Sequence, residues 1–162
     1  MPDRSIQSCV PALQTLYFKF SVAMARSGLT FMITRSRASL DEQKELWAQG
    51  RTKPGPLCRC NGKTNPIGTC KKHPFGLCVT WTLNSRHLLG EAFDIAIIKD
   101  GKPNWDAKVD VNKDNEWDYF EAAKIGKECG LECGFFWEHQ DPPHYELPRV
   151  VTAAKQVKKK KV

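Results

Sequence analysis

The chain of 162 residues has no run of about 18 uninterrupted apolar side chains, so nothing in it reads as a membrane-spanning helix. Its N-terminus lacks the plan of a secretory leader. Asp3, Gln14 and Lys19 interrupt the apolar positions Ile6, Cys9, Val10, Leu13, Leu16, Tyr17, Phe20 and Met24, which fall at helical spacing and predict a core helix stopping at Gly28. Residues 46–90 contain no acid at all but seven Lys or Arg, and 153–162 contain five lysines and again no acid. The net charge of +7 is therefore a basic insertion and a basic tail on a mildly acidic body. The tail carries no aromatic side chain for stacking on bases, which argues against nucleic acid as a partner. An anionic cell-envelope surface is an equally simple partner for the Lys tail. A His-Glu-x-x-His helix is also missing, which excludes thermolysin-like zinc proteases.

What is present predicts a mixed α+β fold, a small mixed or antiparallel sheet with packed helices, because strands and helices alternate without a βαβ rhythm. A short strand is expected at 31–34. Ser39 caps a second helix, with Glu42 completing a capping box and Gly50 ending it. Residues 51–84 are rich in Gly, Pro, Cys and Lys and show no periodicity. A strand at 92–98 follows, turning at Asp100 and Gly101 into a polar loop that runs to about Asn115. A third helix covers roughly 116–129, and a last strand holds His144. One domain, 1–152, is expected, with a Cys-rich insertion at 55–80 and a flexible basic tail at 153–162. Such a domain is expected to act as a monomer.

Two stretches concentrate the chemistry. The first, Ser85-Arg86-His87-Leu88-Leu89-Gly90-Glu91-Ala92-Phe93-Asp94, offers an imidazole and, seven residues on, a carboxylate. The second, Asp141-Pro142-Pro143-His144-Tyr145-Glu146, offers another imidazole with an acid three residues before it. Two His and one carboxylate leave the fourth position of a tetrahedral zinc open, as hydrolytic zinc requires. In the alternating strand, Asp94 projects between Ala92 and Ala96, which leaves room beside the carboxylate for an ion. Gly90 permits a tight entry, so His87 can fold back toward the same face. Pro142 and Pro143 stiffen the link from Asp141 to His144, which suits an acid that holds a water without binding the metal. Taken singly, each of these residues is more often a satisfied polar group than a ligand.

These motifs resemble the signature of the zinc D-alanyl-D-alanine and L-alanyl-D-glutamate peptidases, a family that includes vancomycin-resistance dipeptidases and several phage endolysins. The resemblance extends upstream to residues 37–51 (RASLDEQKELWAQGR) and to Gly130-Leu131-Glu132-Cys133-Gly134, where relatives often carry Trp in place of Cys133. It spans about residues 30–148. It implies a hedgehog/D,D-peptidase-like fold, zinc on His87, Asp94 and His144, and Asp141 as general base. It also implies an arginine that stabilises the substrate oxyanion: Arg37 is the assignment, with Arg35 two residues away as the rival. Ser85 would contact substrate or brace His87, and Trp137 would contact substrate.

Two further clusters invite metals. Cys58, Cys60, Cys70, His73 and Cys78 lie within 21 residues of a segment too small for a core of its own. A second, structural zinc, disulfides and free thiols are all open readings there. Cys9, Cys129 and Cys133 read as buried small hydrophobes. Asp110, Asn112, Asp114, Asp118 and Glu121 occupy positions 1, 3, 5, 9 and 12 of a twelve-residue calcium loop, with Glu116 supplying its carbonyl at position 7. Asn115 stands where such loops have Gly. The plain alternative is an acidic helix start, favoured by the helix dipole.

The expectation is a zinc peptidoglycan hydrolase of the endolysin type, cutting L-alanyl-D-glutamate bonds. Such an enzyme would be made in the host cytoplasm without a signal peptide and act on the wall after release. The rivals are a D-alanyl-D-alanine carboxypeptidase and a non-catalytic zinc-stabilised binding domain.

Overall fold

A computed structural model describes residues 2–149; the basic tail and its proposed envelope contact lie outside the described residues. Within them the chain is α+β, with three α-helices and an antiparallel sheet. It divides into two compact units, residues 2–10 with 33–93 and residues 11–32 with 94–149.

The second unit carries the apolar core. Helix α1, Pro11–Arg26, buries Leu13, Phe20 and Met24 on one face. It starts later than the apolar spacing suggested. Ile6–Ser8 forms a separate 3-10 turn, and Pro11 suits the first helical position because its missing N–H would have no helical partner there. Gly28, in the left-handed region at φ 74°, ends the helix as expected. The sheet has the order β1-β2-β5-β4, with β3 beside β2. Its strands are β1 (Phe31–Arg35), β2 (Ala92–Lys99), β3 (Lys102–Asn104), β4 (Glu132–Cys133) and β5 (His144–Glu146). The chain passes from one unit to the other within β1 and within β2.

Strand β3 corrects the reading of a polar loop after Gly101. Asp100 and Gly101 both take positive φ, 52° and 72°, the geometry of a two-residue hairpin turn, and Lys102 pairs back on Lys99. Strand β2 is also buried on both faces, since Ala92, Phe93, Ile95, Ala96 and Ile97 are all inaccessible. Helix α3, Asp118–Glu128, packs against α1 and β4. A methyl on Gly126 would meet the Tyr145 ring at 2.8 Å, so glycine there lets the helix approach β5 closely. Phe20 touches Tyr145 and Phe31 at ring-centroid distances of 4.9 and 5.2 Å.

The first unit is built differently. Helix α2, Leu40–Ala48, has the expected capping box: Ser39 accepts from the Glu42 amide, and Glu42 accepts from the Ser39 amide. Its one buried side chain is Gln43. The amide of Gln43 accepts from Arg35 at 2.9 Å and donates to the Thr82 carbonyl at 2.6 Å, so a polar clamp replaces an apolar contact.

Candidate active site

The donors named from the sequence fall in both units, His87 in the first and Asp94 and His144 in the second. His87 sits in a 3-10 turn, Arg86–Leu89, closed by Gly90 at φ 67°. Gly90 is needed there on two counts, since an added methyl would also meet Cys9 Cα and the Ser8 carbonyl at 3.3 Å. Ser85 caps the turn by accepting from the His87 amide. The imidazole is buried, and its Nδ1 donates to the Ser36 carbonyl at 2.6 Å. That bond places the proton on Nδ1 and leaves Nε2 with the lone pair that a metal needs.

In the second unit, β2 and β5 bring Asp94, His144 and Glu146 together. His144 is buried, with Nδ1 3.0 Å from Asp94 Oδ1 and Nε2 3.0 Å from Glu146 Oε2. Burial alone would lower the His144 pKa, but the hydrogen bonds to Asp94 and Glu146, helped by the charge of Asp141, outweigh it and raise it to about 9. Trp137 lies against the His144 ring, 5.0 Å between centroids, and forms a wall beside it. Glu146 was given no role from the sequence. Its signal was the two-residue spacing from His144 on one strand face.

Asp141 is exposed, and its backbone is fixed at both ends. Its amide donates to the Gly134 carbonyl at 2.9 Å, and its carbonyl accepts from the His144 amide at 3.0 Å. A methyl on Gly134 would lie 2.5 Å from the Asp141 carbonyl oxygen, so glycine at 134 is a condition for this placement. The two arginines differ in surroundings: Arg35 is tied to Gln43, and Arg37 is exposed.

Of the thiol cluster, Cys58, Cys60, Cys70 and His73 come together, each offering one donor atom within 4.8 Å of the others. Cys78 does not join them. Its Sγ faces the Gly50 carbonyl at 3.8 Å, because the backbone of Leu77 and Cys78 packs directly on Gly50. Among these thiols, hydrogen bonding to Cys58 and then to the His73 backbone lowers Cys70 to about 6, while hydrogen bonds with Cys70 and Cys58 raise Cys60 to about 11. Cys9 and Cys133 are buried as expected; Cys129 is only half-buried, at the end of α3.

The acidic loop is ordered by its own carboxylates. Asp110 accepts from the amides of Lys113 and Asn115, Asn112 from Asp114, Asp114 from Glu116, and Asp118 from Val111. Asn115 takes the left-handed conformation, φ 70°, expected of it. Glu116 turns its carboxylate to Lys124, and Glu121 accepts from the Asn112 amide. Only Asp114, Glu116 and Glu121 bring donor atoms within 4.8 Å of one another. Asp118 is fully buried, with Oδ1 lacking a hydrogen-bond partner. Burial, together with the charges of Asp110, Glu121 and Asp114, raises its pKa.

Residues 79–147 match the family profile described as D-alanyl-D-alanine carboxypeptidase. The chain is 33% identical over 126 residues to the peptidoglycan L-alanyl-D-glutamate endopeptidase CwlK of Bacillus subtilis; the match covers 77% of this chain and 65% of the relative's length. Its fold is similar to the crystal structure of the Serratia marcescens L-Ala D-Glu endopeptidase ChiX, with a TM-score of 0.58 and 19% identity, covering 88% of this chain and 83% of that one.

Proposed function

We infer, from the similarity to the carboxypeptidase profile and to the L-alanyl-D-glutamate endopeptidase of Bacillus subtilis, that this chain is a zinc peptidoglycan endopeptidase cutting the L-alanyl-D-glutamate bond of the stem peptide. The observation that carries the reading is the Asp94–His144–Glu146 arrangement, with His144 and Glu146 buried and Asp94 half-buried, which lies inside the matched segment together with His87 and Asp141. The donor set fits zinc. Ser36 fixes one nitrogen of His87 and Glu146 one nitrogen of His144, as outer partners orient metal-binding imidazoles, and Asp94 adds a carboxylate beside His144. His87, Asp94 and His144 would hold the ion. Once bound, zinc would lower the pKa of a coordinated water and polarise the scissile carbonyl.

The remaining chemistry belongs to the chain. Asp141 takes a proton from the attacking water and returns it to the leaving amine, and bonds to Gly134 and His144 fix the backbone that carries its carboxylate. Arg37 stabilises the oxyanion, a role suited to an arginine not tied to Gln43. Trp137 and Ser85 shape the ground around the two imidazoles. The acidic loop at 110–121 is a calcium site in this reading, supported by the buried, under-bonded Asp118 and by the left-handed Asn115. The setting is that of a phage endolysin, made in the host cytoplasm and acting on the wall after release. This setting is supported by the motif resemblance.

Mass spectrometry of digested, purified peptidoglycan tests the function. New N-terminal D-glutamate ends with intact glycan strands are expected, and Asp141→Asn should lower turnover by ~10²–10⁴ while zinc stays bound. The family profile's description favours one other reading, a carboxypeptidase, and released D-alanine in place of D-glutamate ends would establish it. New reducing sugar ends would overturn both.

A further inference from the structure

The segment between Arg51 and Asn84 has little to fold around. Its regular structure among the described residues is one 3-10 turn, Cys60–Gly62, and two isolated bridges, Lys53 with Gln49 at the base and Cys58 with Asn65. Leu57, Ile67, Phe75, Leu77, Val79, Trp81 and Leu83 are all exposed, so apolar burial does not hold it. Close glycine backbone contacts help to hold its base. Side chains on Gly50 or Gly55 would collide with the Leu77 carbonyl, and one on Gly76 with the Pro56 carbonyl. Arg51 stacks on Trp47, 4.6 Å from the ring centroid. Among the described residues, nothing of that kind braces the part from Leu57 to His73.

We propose that Cys58, Cys60, Cys70 and His73 form a closed structural zinc site of three thiolates and one imidazole. Zinc–sulfur bonds of about 2.3 Å and zinc–nitrogen bonds of about 2.0–2.1 Å imply tetrahedral edges of roughly 3.5–3.8 Å. The structure brackets that range, with His73 Nδ1 3.3 Å from Cys60 Sγ and 3.9 Å from Cys70 Sγ. All four donor atoms lie within 4.8 Å of one another. Four protein donors leave no open position, as in structural rather than catalytic zinc sites. Asn65 supplies the outer support: its side-chain amide reaches Cys58 Sγ at 3.6 Å and the carbonyls of Cys58, Cys60 and Lys63.

The charge pattern agrees. Three thiolates around Zn²⁺ leave a net charge of −1. The ligands are interleaved with Arg59, Lys71 and Lys72 in a stretch, 46–90, that holds no acid. Disulfide pairing explains less: it would leave one of the three thiols over and His73 without a role, and none of Cys58, Cys60 and Cys70 is in a disulfide. Soft thiolates select zinc over calcium or magnesium.

The test uses the full-length, reduced protein with cobalt(II) substituted for zinc. Thiolate-to-cobalt charge-transfer absorption is expected. It cannot come from His87, Asp94 and His144, so it reports this site whatever becomes of the proposed peptidase activity. The band should survive His144→Ala and Cys78→Ser and vanish in Cys70→Ser. Zinc should also protect Cys58, Cys60 and Cys70 from iodoacetamide, slowing their labelling at least tenfold relative to chelated protein. Because Cys70→Ser could fail to fold, the wild-type spectrum and labelling stand by themselves. A cobalt spectrum without the thiolate band, or labelling unchanged by zinc, would overturn the proposal. Loss of two hydrogens per cysteine pair in the mass of the native protein would do the same.

Discussion

The two units contrast in what holds them. In the second, Phe20, Ile95, Ile97, Tyr119 and Tyr145 are fully buried side chains that fill the space among α1, α3 and the sheet. In the first, the fully buried group includes Ser36 and Gln43, and the apolar share is small: Cys9, Ala38, Cys58, Ala92 and Phe93. Hydrogen bonds, glycine backbone contacts and a thiol cluster stand there in place of a core. The lesson is about sensitivity. An apolar core spreads its stabilisation over many contacts, and the loss of one large side chain is felt as a cavity. A polar clamp concentrates its effect on a few atoms, and the loss of one partner strands the other.

Four substitutions or conditions would sharpen or break this contrast, from the largest effect to the smallest. Phe20→Ala removes a ring touching Tyr145 and Phe31 and should cost about 3–5 kcal/mol in denaturant unfolding. A loss below about 1 kcal/mol would mean that the second unit does not depend on this core.

Next is pH. In metal-free protein His144 titrates at about 9, above its ordinary 6.5. A raised pKa means stabilisation that is fully present below about pH 6.5 and fades as pH climbs through about 9. The shift corresponds to roughly 3 kcal/mol. Thermal unfolding in chelator should therefore show lower stability at about pH 10 than at about pH 6, and Glu146→Gln should flatten the dependence. Equal slopes for wild type and variant would remove Glu146 as the cause.

Gln43→Ala tests the clamp. It takes the Gln43 partner from Arg35 and leaves the Thr82 carbonyl with only a longer bond from the Thr80 hydroxyl at 3.4 Å, and a loss of about 1–3 kcal/mol is expected. A neutral result would show the clamp to be dispensable. The smallest effect is Ser39→Ala, which opens the capping box of α2 and should cost about 1 kcal/mol, read from the same unfolding curves. If it exceeded the cost of Gln43→Ala, the cap rather than the clamp would be the anchor of the first unit.

The sequence by itself determined the features that arise within a few residues. Ser39 and Glu42 lie three apart, so their reciprocal bonds could be read directly, as could the glycine stops at 28, 90 and 101 and the strand from Ala92. The residue types and spacing of His87, Asp94, Asp141 and His144 could be read for the same reason: short motifs carry their chemistry in the order of their residues. Tertiary structure decided the rest. Spacing does not decide between Arg37, the assigned arginine, and Arg35, and only the fold ties Arg35 to Gln43. Cys78 belongs to the thiol cluster by spacing, yet a close approach of Leu77 to Gly50 directs it elsewhere. Glu146 has no assigned role until β5 lies beside β2 and His144 stands between two carboxylates. These outcomes depend on partners distant in sequence, and which of them meet is fixed by the backbone paths and small residues that let elements approach, not by local preference.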